Sequence, residues 1–319
     1  MVPILAAACL FIPVLAASHD AAAQPYPYRP VRIVTTQAGG GSDFAARVLA
    51  KALTGPLGQT VIVDNRGGGA TISADIVAKA PPDGYTLLGA SGTLWVASLI
   101  RKTSYDTLRD FIPITLAVNT PNILVVHPSV AGSVKDLIAL AKAKPGQLNY
   151  GSGATGAASH LAGELFKHMA GVDVVRVPYK GSGVSVNALL GNEVQLMFPS
   201  ASIAIPHVRS GRLKALAVTT TKRFSMMPEV PTMSEAALPG YESSVYAGLF
   251  APIRTPAPVV QRLHREAVQY LNTPEANELF LRSGGADVVA ASPQESRAII
   301  QSELQRLGKV IREAHIQDK

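Results

Sequence analysis

The chain has 319 residues, 47% of them hydrophobic and only 16% charged, which excludes a disordered protein and leaves room for about two domains with separate cores. Its single cysteine, Cys9, lies in an apolar leader, so the remainder holds no thiol for a disulfide, a nucleophile or a thiolate metal site. The net charge of +7 comes from scattered basic residues such as Arg47, Lys142 and Arg212, with no aromatic platform between them. That pattern argues against nucleic-acid binding and for a mild attraction of anionic solutes.

Residues 2–17 carry no charged side chain but are too short and too Ala-rich for a membrane span. Ala21-Ala22-Ala23 then supplies an A-x-A site ahead of Gln24. Residues 1–23 therefore read as a secretory signal peptide cut near Ala23, although no Lys or Arg precedes the apolar run.

After the leader, residues 31–34 form an apolar strand, and Ala45, Val48, Leu49, Ala52 and Leu53 recur at helical spacing. Between them lies Thr35-Thr36-Gln37-Ala38-Gly39-Gly40-Gly41-Ser42-Asp43. Ser42 suits an N-cap, and Asp43 suits the positive end of the helix dipole. Strand, glycines and helix start together make a nest of backbone N–H groups suited to a small anion, above all a carboxylate.

The pattern repeats. Residues 61–63 are a strand, Arg66-Gly67-Gly68-Gly69-Ala70 a loop, and Ile72, Ile76, Val77 and Ala80 one face of a helix. A turn at 81–84, a strand at 85–89 and Ala90-Ser91-Gly92-Thr93-Leu94 opening a further helix complete β-α-β-α-β, the signature of a parallel sheet. Three successive strands thus deliver small or polar residues at their C-terminal ends, the edge where open α/β sheets bind ligands.

Residues 111–118 read as a strand interrupted at Thr120-Pro121-Asn122, with a second strand at 123–126, and this reads as a crossing between domains. A second α/β unit follows. It has a helix at 135–144, a strand at 148–150, and the loop Gly151-Ser152-Gly153-Ala154-Thr155-Gly156. A helix bearing Leu161, Leu165 and Met169 then leads to a strand at 174–177 running into Pro178-Tyr179-Lys180-Gly181-Ser182. Helices at 184–190 and 201–208 and strands at 194–198 and 213–218 complete the unit. Residues 245–252 cross back, followed by helices at 258–271 and 274–283, a strand at 286–290 and a helix at 293–314.

Catalytic motifs fail on context. The loop at 151–156 fits G-x-G-x-x-G, but Asp173 precedes the next strand, whereas a ribose-binding acid would end it. Ser91 and Ser152 lack a nucleophile elbow, though a base could still meet a serine in space. No metal-ligand spacing is present. His160 and Glu164 share a helix face and read as a local pair.

The order of these motifs resembles the Bug receptors, periplasmic solute receptors of tripartite tricarboxylate transporters. The resemblance rests on residues 28–34, 38–43, 63–69, 80–86, 148–153, 160–166 and 177–181, covering nearly the whole mature chain. It implies an α/β, two-lobed type II periplasmic binding protein, a "flytrap" with its cleft between lobes. Lobe I would be 24–120 and 248–319, and lobe II 121–247. It implies a monomeric periplasmic receptor that closes on a small organic anion, a carboxylate, and delivers it to membrane permease subunits, with no catalysis, cofactor or metal. Carried onto this chain, the ligand contacts of lobe I are Thr36, Gln37, Ala38, Gly39, Gly40, Ser42, Asp43, Gly69, Ala70, Ser91 and Thr93. Those of lobe II are Ser152, Gly153, Thr155, Tyr179, Gly181 and Ser200. Two departures stand out: Thr35-Thr36 replaces the Pro-aromatic pair of many relatives, and Phe198-Pro199-Ser200 stands after the apolar strand where many carry an acid. An exported hydrolase on the same scaffold and a sensing subunit for a membrane kinase are the competing readings.

Overall fold

A computed structural model describes residues 26–39, 41–67, 70–179 and 182–316. The leader, Gly40, Gly69 and Gly181 lie outside the described residues. The first half contains β1 (Val31–Thr35), α1 (Gly41–Leu57), β2 (Val61–Asn65), α2 (Ala70–Ala78), β3 (Thr86–Ser91), α3 (Thr93–Ile100), α4 (Thr107–Asp110) and β4 (Phe111–Pro121). Then come β5 (Ile123–Val126), α5 (Val134–Ala143), β6 (Asn149–Ser152), α6 (Ala158–Ala170), β7 (Val175–Pro178), α7 (Ser182–Leu190) and β8 (Leu196–Met197). The chain continues through α8 (Ala201–Arg209), β9 (Lys214–Val218), α9 (Met233–Ala236), β10 (Ser244–Pro252), α10 (Ala257–Leu271) and α11 (Pro274–Leu279). It ends with β11 (Asp287–Val288) and α12 (Pro293–Glu313).

Two sheets organise these elements. The first has the order β11-β4-β10-β3-β1-β2 and the second β7-β6-β8-β5-β9. Strands β2 and β3 pair parallel to β1, as the β-α-β-α-β reading expects. The sheet as a whole is mixed, because β10 returns from the second sheet and lies antiparallel to both β3 and β4.

Period-2 alternation puts neighbouring residues into cores on opposite faces. Ile33 and Leu87 enter one core, while Val34 and Leu88 enter the other. In the second sheet Leu124 and Val126 face one core, and Ile123 and Val125 the other.

Two details depart from the sequence reading. The segment 111–121 is one strand, so Thr120 and Pro121 stay in the first sheet and the chain crosses at Asn122. The helix expected over 274–283 ends at Leu279 and widens into a π-turn at Phe280–Gly284. The last helix is well signalled: Ser292 caps it, Pro293 occupies its first turn, and Glu295 completes a capping box. It packs against β4 and α3 of the first sheet and α6 of the second.

Candidate functional site

A cavity of about 460 Å³ opens at the C-terminal edge of β1 and β3. Its polar wall is made by Thr36, Gln37, Gly41 and Ser42 after β1, Ala70 at the head of α2, and Ser91 and Thr93 at the head of α3. Three helices therefore begin at one cavity. The first N–H groups of a helix have no intrahelical acceptor, and the dipole makes that end electropositive. Ser91 and Thr93 add hydroxyls, 3.1 Å apart.

Local hydrogen bonds shape the first loop. Thr35 is buried, and its Oγ1 donates to Gly89 O at 2.9 Å, tying β1 to β3. Ser73 Oγ donates to Thr35 O at 2.8 Å, bringing α2 in. Asn65 Nδ2 donates to Thr36 O at 2.8 Å and to Asp43 Oδ1 at 2.7 Å.

Asp43 therefore has a different place from the one expected. It is buried and absent from the cavity lining, and it accepts hydrogen bonds from Gly39 N, Asn65 and Arg47. Burial alone would raise its pKa, but the bonds from Asn65, Gly39 and Arg47 and the charge of Arg47 hold it below the ordinary value. Gly39, at φ 86°, spends its N–H on this carboxylate, so it shapes the loop. Ala38 and Gly39 are exposed residues outside the cavity lining. Ser42 sits inside the first turn of α1, since the helix begins at Gly41.

In the second sheet, Ser152 is fully buried; its Oγ donates to Gly153 O at 3.1 Å and accepts from Arg176 Nε at 2.8 Å. Gly153 N donates to Ser159 Oγ at 3.0 Å. These two residues are consumed by their own loop, whereas the nest reading assigned them to the ligand. Arg176 holds the loop together, with Nη2 on Gly153 O at 3.0 Å and Nη1 within 3.4 Å of Thr155 Oγ1. Thr155 and Tyr179 are partly exposed, and Tyr179 N donates to Ser152 O at 2.9 Å. Ser200 bridges Asn122, and its Oγ is 3.2 Å from Ser202 Oγ. Among the described residues lining the cavity, none comes from 123–218.

His160 and Glu164 take separate partners. His160 Nδ1 accepts Gly156 N at 3.1 Å, and burial together with the Arg176 charge lowers its pKa to about 4. Glu164 accepts the Tyr150 hydroxyl at 2.5 Å and pairs with Lys167 at 3.1 Å. Elsewhere Ser129 Oγ meets the ring of His127 at Nδ1, 2.8 Å away, on an exposed turn. Among the described residues no cluster of His, Cys, Asp or Glu could hold a metal ion.

The cavity also has walls that the sequence reading missed. Phe44, Arg101, Val118, Thr120, Val245, Ala247, Phe280 and Ala286 all line it. Most reach it only because β10 pairs with β3, with β4 and then β11 beyond it, an order that no local motif announces.

Comparison with known proteins agrees with this architecture. Residues 45–316 match the family described as tripartite tricarboxylate transporter family receptor. BugT of Bordetella pertussis is 36% identical over 319 residues, covering 98% of each chain. Rpa4515 of R. palustris, solved with adipate, is 35% identical with a TM-score of 0.76, covering 92% of this chain and 99% of that one. MatC (Rpa3494) of Rhodopseudomonas palustris, with bound malate, is 29% identical with a TM-score of 0.72, covering 90% and 100%. The chain belongs to the tripartite tricarboxylate transporter receptor family, the Bug receptors, and has their two-lobed type II periplasmic binding protein fold.

Proposed function

We propose that this receptor traps a small organic anion, a carboxylate, between its lobes and presents the closed form to tripartite permease subunits. The observation that carries this reading is the convergence of the N-termini of α1, α2 and α3 on one 460 Å³ cavity. A carboxylate placed there gains charge-assisted hydrogen bonds from backbone N–H groups without needing a buried cation. The cavity volume lies within the range usual for small-molecule sites, roughly 300–1,000 Å³. Adipate in Rpa4515 and malate in MatC support the same ligand chemistry.

In this reading Thr36, Gln37, Ser42, Ala70, Ser91 and Thr93 make the first contacts, joined by Gly40 and Gly69. Thr155, Tyr179, Gly181 and Ser200 belong to the facing side and meet the ligand on closure. The lobes are 24–120 with 248–319, and 121–247. The division is supported by strands β1 to β4 and β11 sharing one sheet and β5 to β9 the other; β10 spans the second boundary and pairs within the first sheet. The leader directs export to the periplasm and is removed near Ala23, and the receptor acts as a monomer without a cofactor or catalytic step.

The test is thermal denaturation of the protein against mono-, di- and tricarboxylates, aromatic acids, amino acids and simple esters, with recovery of the added compound. A ligand at 100 times its Kd stabilises the fold by about 2.7 kcal/mol. An acid that raises the transition and is recovered unchanged supports the receptor. Consumption of an ester, or no shift with any acid, overturns it.

A further inference from the structure

The proposed carboxylate site leaves open what the rest of the ligand looks like, and the cavity floor bears on that. Ala247 of β10 lies opposite Ser91 of β3 on one side and Val118 of β4 on the other. Directly opposed residues of antiparallel strands point to the same face, so Ser91, Ala247 and Val118 form one row across three strands. Val245, two residues from Ala247, faces the same way opposite Thr120. Neighbouring strands are about 4.8 Å apart, so the row runs about 10 Å from the hydroxyl of Ser91 to the methyls of Val118.

The next strand, β11, pairs with β4 through Asp287 and Asn119, and Ala286 just before it continues the floor. On that side Phe280 packs edge-on against Phe44 of α1, with ring centroids 5.6 Å apart at 85°. The cavity is thus polar over β1 and β3 and apolar from β10 to β11, apart from Thr120. Arg101 is the one charged side chain among the described lining residues.

Resting on the receptor reading above, we infer that the ligand is a monocarboxylate with an extended apolar body, a medium-chain alkanoate or an aryl-alkanoate. Its carboxylate lies at the helix N-termini and its hydrocarbon lies along Ala247 and Val118 toward Phe44 and Phe280. A second carboxylate at the far end would leave water for a wall of methyl and phenyl groups.

Titration calorimetry with hexanoate, adipate, 3-phenylpropionate, malate and hexanamide separates the two levels of the argument. Hexanoate and adipate have the same chain length and differ only at the distal end. Hexanoate and 3-phenylpropionate are expected to bind about tenfold or more tighter than adipate and malate. Phe44→Ala, at a partly exposed position, and the near-isosteric Val118→Thr are each expected to weaken 3-phenylpropionate by about three- to tenfold and to change malate by less than about twofold. Adipate or malate binding as tightly as hexanoate, or both variants leaving the acids' ranking and ratios unchanged, overturns the inference while the carboxylate receptor stands. Hexanamide binding as well as hexanoate, or no acid binding, removes the carboxylate reading and the inference with it.

Discussion

The carboxylate of Asp43 accepts the backbone N–H of Gly39 at 2.9 Å, closing the glycine loop on the first turn of α1. The same carboxylate takes Asn65 Nδ2 at 2.7 Å and Arg47 Nε at 3.1 Å, and Asn65 in turn holds Thr36 O. One buried acid thus sets the shape of the loop that brings Thr36 and Gln37 to the cavity. Asp43→Asn puts an amide N–H₂ where a carboxylate oxygen accepted, leaving a buried donor unpaired. The expected cost is about 1–3 kcal/mol in urea denaturation, with weaker carboxylate binding. The folded pKa of Asp43 is depressed below its ordinary 3.8. Its contribution is therefore present above that value and is lost as pH falls through the folded pKa. The difference between wild type and Asp43→Asn is expected to be full at pH 7 and to shrink below about pH 4.

Arg176 is the corresponding organiser in the second sheet, spanning Ser152, Gly153 and Thr155. Arg176→Met removes those bonds and is expected to lower ligand affinity by about tenfold, because Thr155 and Tyr179 lose their fixed positions. It also removes a positive charge near His160. The pKa of His160, about 4 in the native protein, is expected to rise in the variant while staying below 6.5, since burial is the larger cause. Proton NMR titration of the His160 ring reads this directly; an unchanged pKa would sink the electrostatic part of the argument. A His with a depressed pKa stabilises the fold above pH 6.5, and that contribution is lost as pH falls toward 4.

These two organisers show where sequence reasoning stops. The first site was legible because its parts are local: a strand, a glycine turn and a helix start recur three times, and each recurrence brings residues such as Thr36, Ala70 and Thr93 to the same edge. Asp43 was legible as a first-turn acid. Its actual role depends on Asn65, 22 residues away and positioned by the pairing of β2 with β1. Arg176 reaches the loop after β6 because β7 pairs parallel with β6, and no spacing in the sequence specifies that. The apolar end of the cavity was least legible. Phe280 and Ala286 reach it only after the chain has left the first sheet, returned antiparallel as β10, and turned again into β11.

Glu303 of α12 is 3% exposed and pairs with Arg306, which also pairs with Glu242 just before β10. Burial raises its pKa from 4.5 to about 7, with Arg306 opposing the shift and Glu242 reinforcing it. Tyr246 lies within the same electrostatic neighbourhood. A carboxyl group whose pKa is raised on folding contributes stability that is full below 4.5 and is lost as pH rises through 7. The wild-type melting temperature is expected to fall between pH 5 and pH 8 relative to Glu303→Gln, by an amount corresponding to about 1–3 kcal/mol. A parallel pH profile for the two proteins would show that Glu303 does not titrate in this range.

The crossing between sheets rests on Asn122 and Thr219. Both are buried; Thr219 Oγ1 accepts Asn122 N at 3.0 Å and donates to Asn122 O at 2.9 Å, and Thr219 N donates to the same carbonyl at 3.0 Å. Thr219 O in turn accepts Ser243 N at 2.8 Å, so the outgoing segment at 122 is coupled to the returning one at 243. Thr219→Val keeps the shape but removes the hydroxyl, leaving the Asn122 N–H buried without its acceptor. The expected cost is about 1–3 kcal/mol, because an unsatisfied buried donor loses its water without compensation. Thr219→Ser retains the hydroxyl and serves as the control. Hydrogen exchange at the Asn122 amide is expected to accelerate in Thr219→Val by more than the global loss of stability accounts for, and to stay close to wild type in Thr219→Ser. Equal acceleration in both variants would assign the effect to packing of the Thr219 methyl and not to the hydroxyl that joins the two crossing segments.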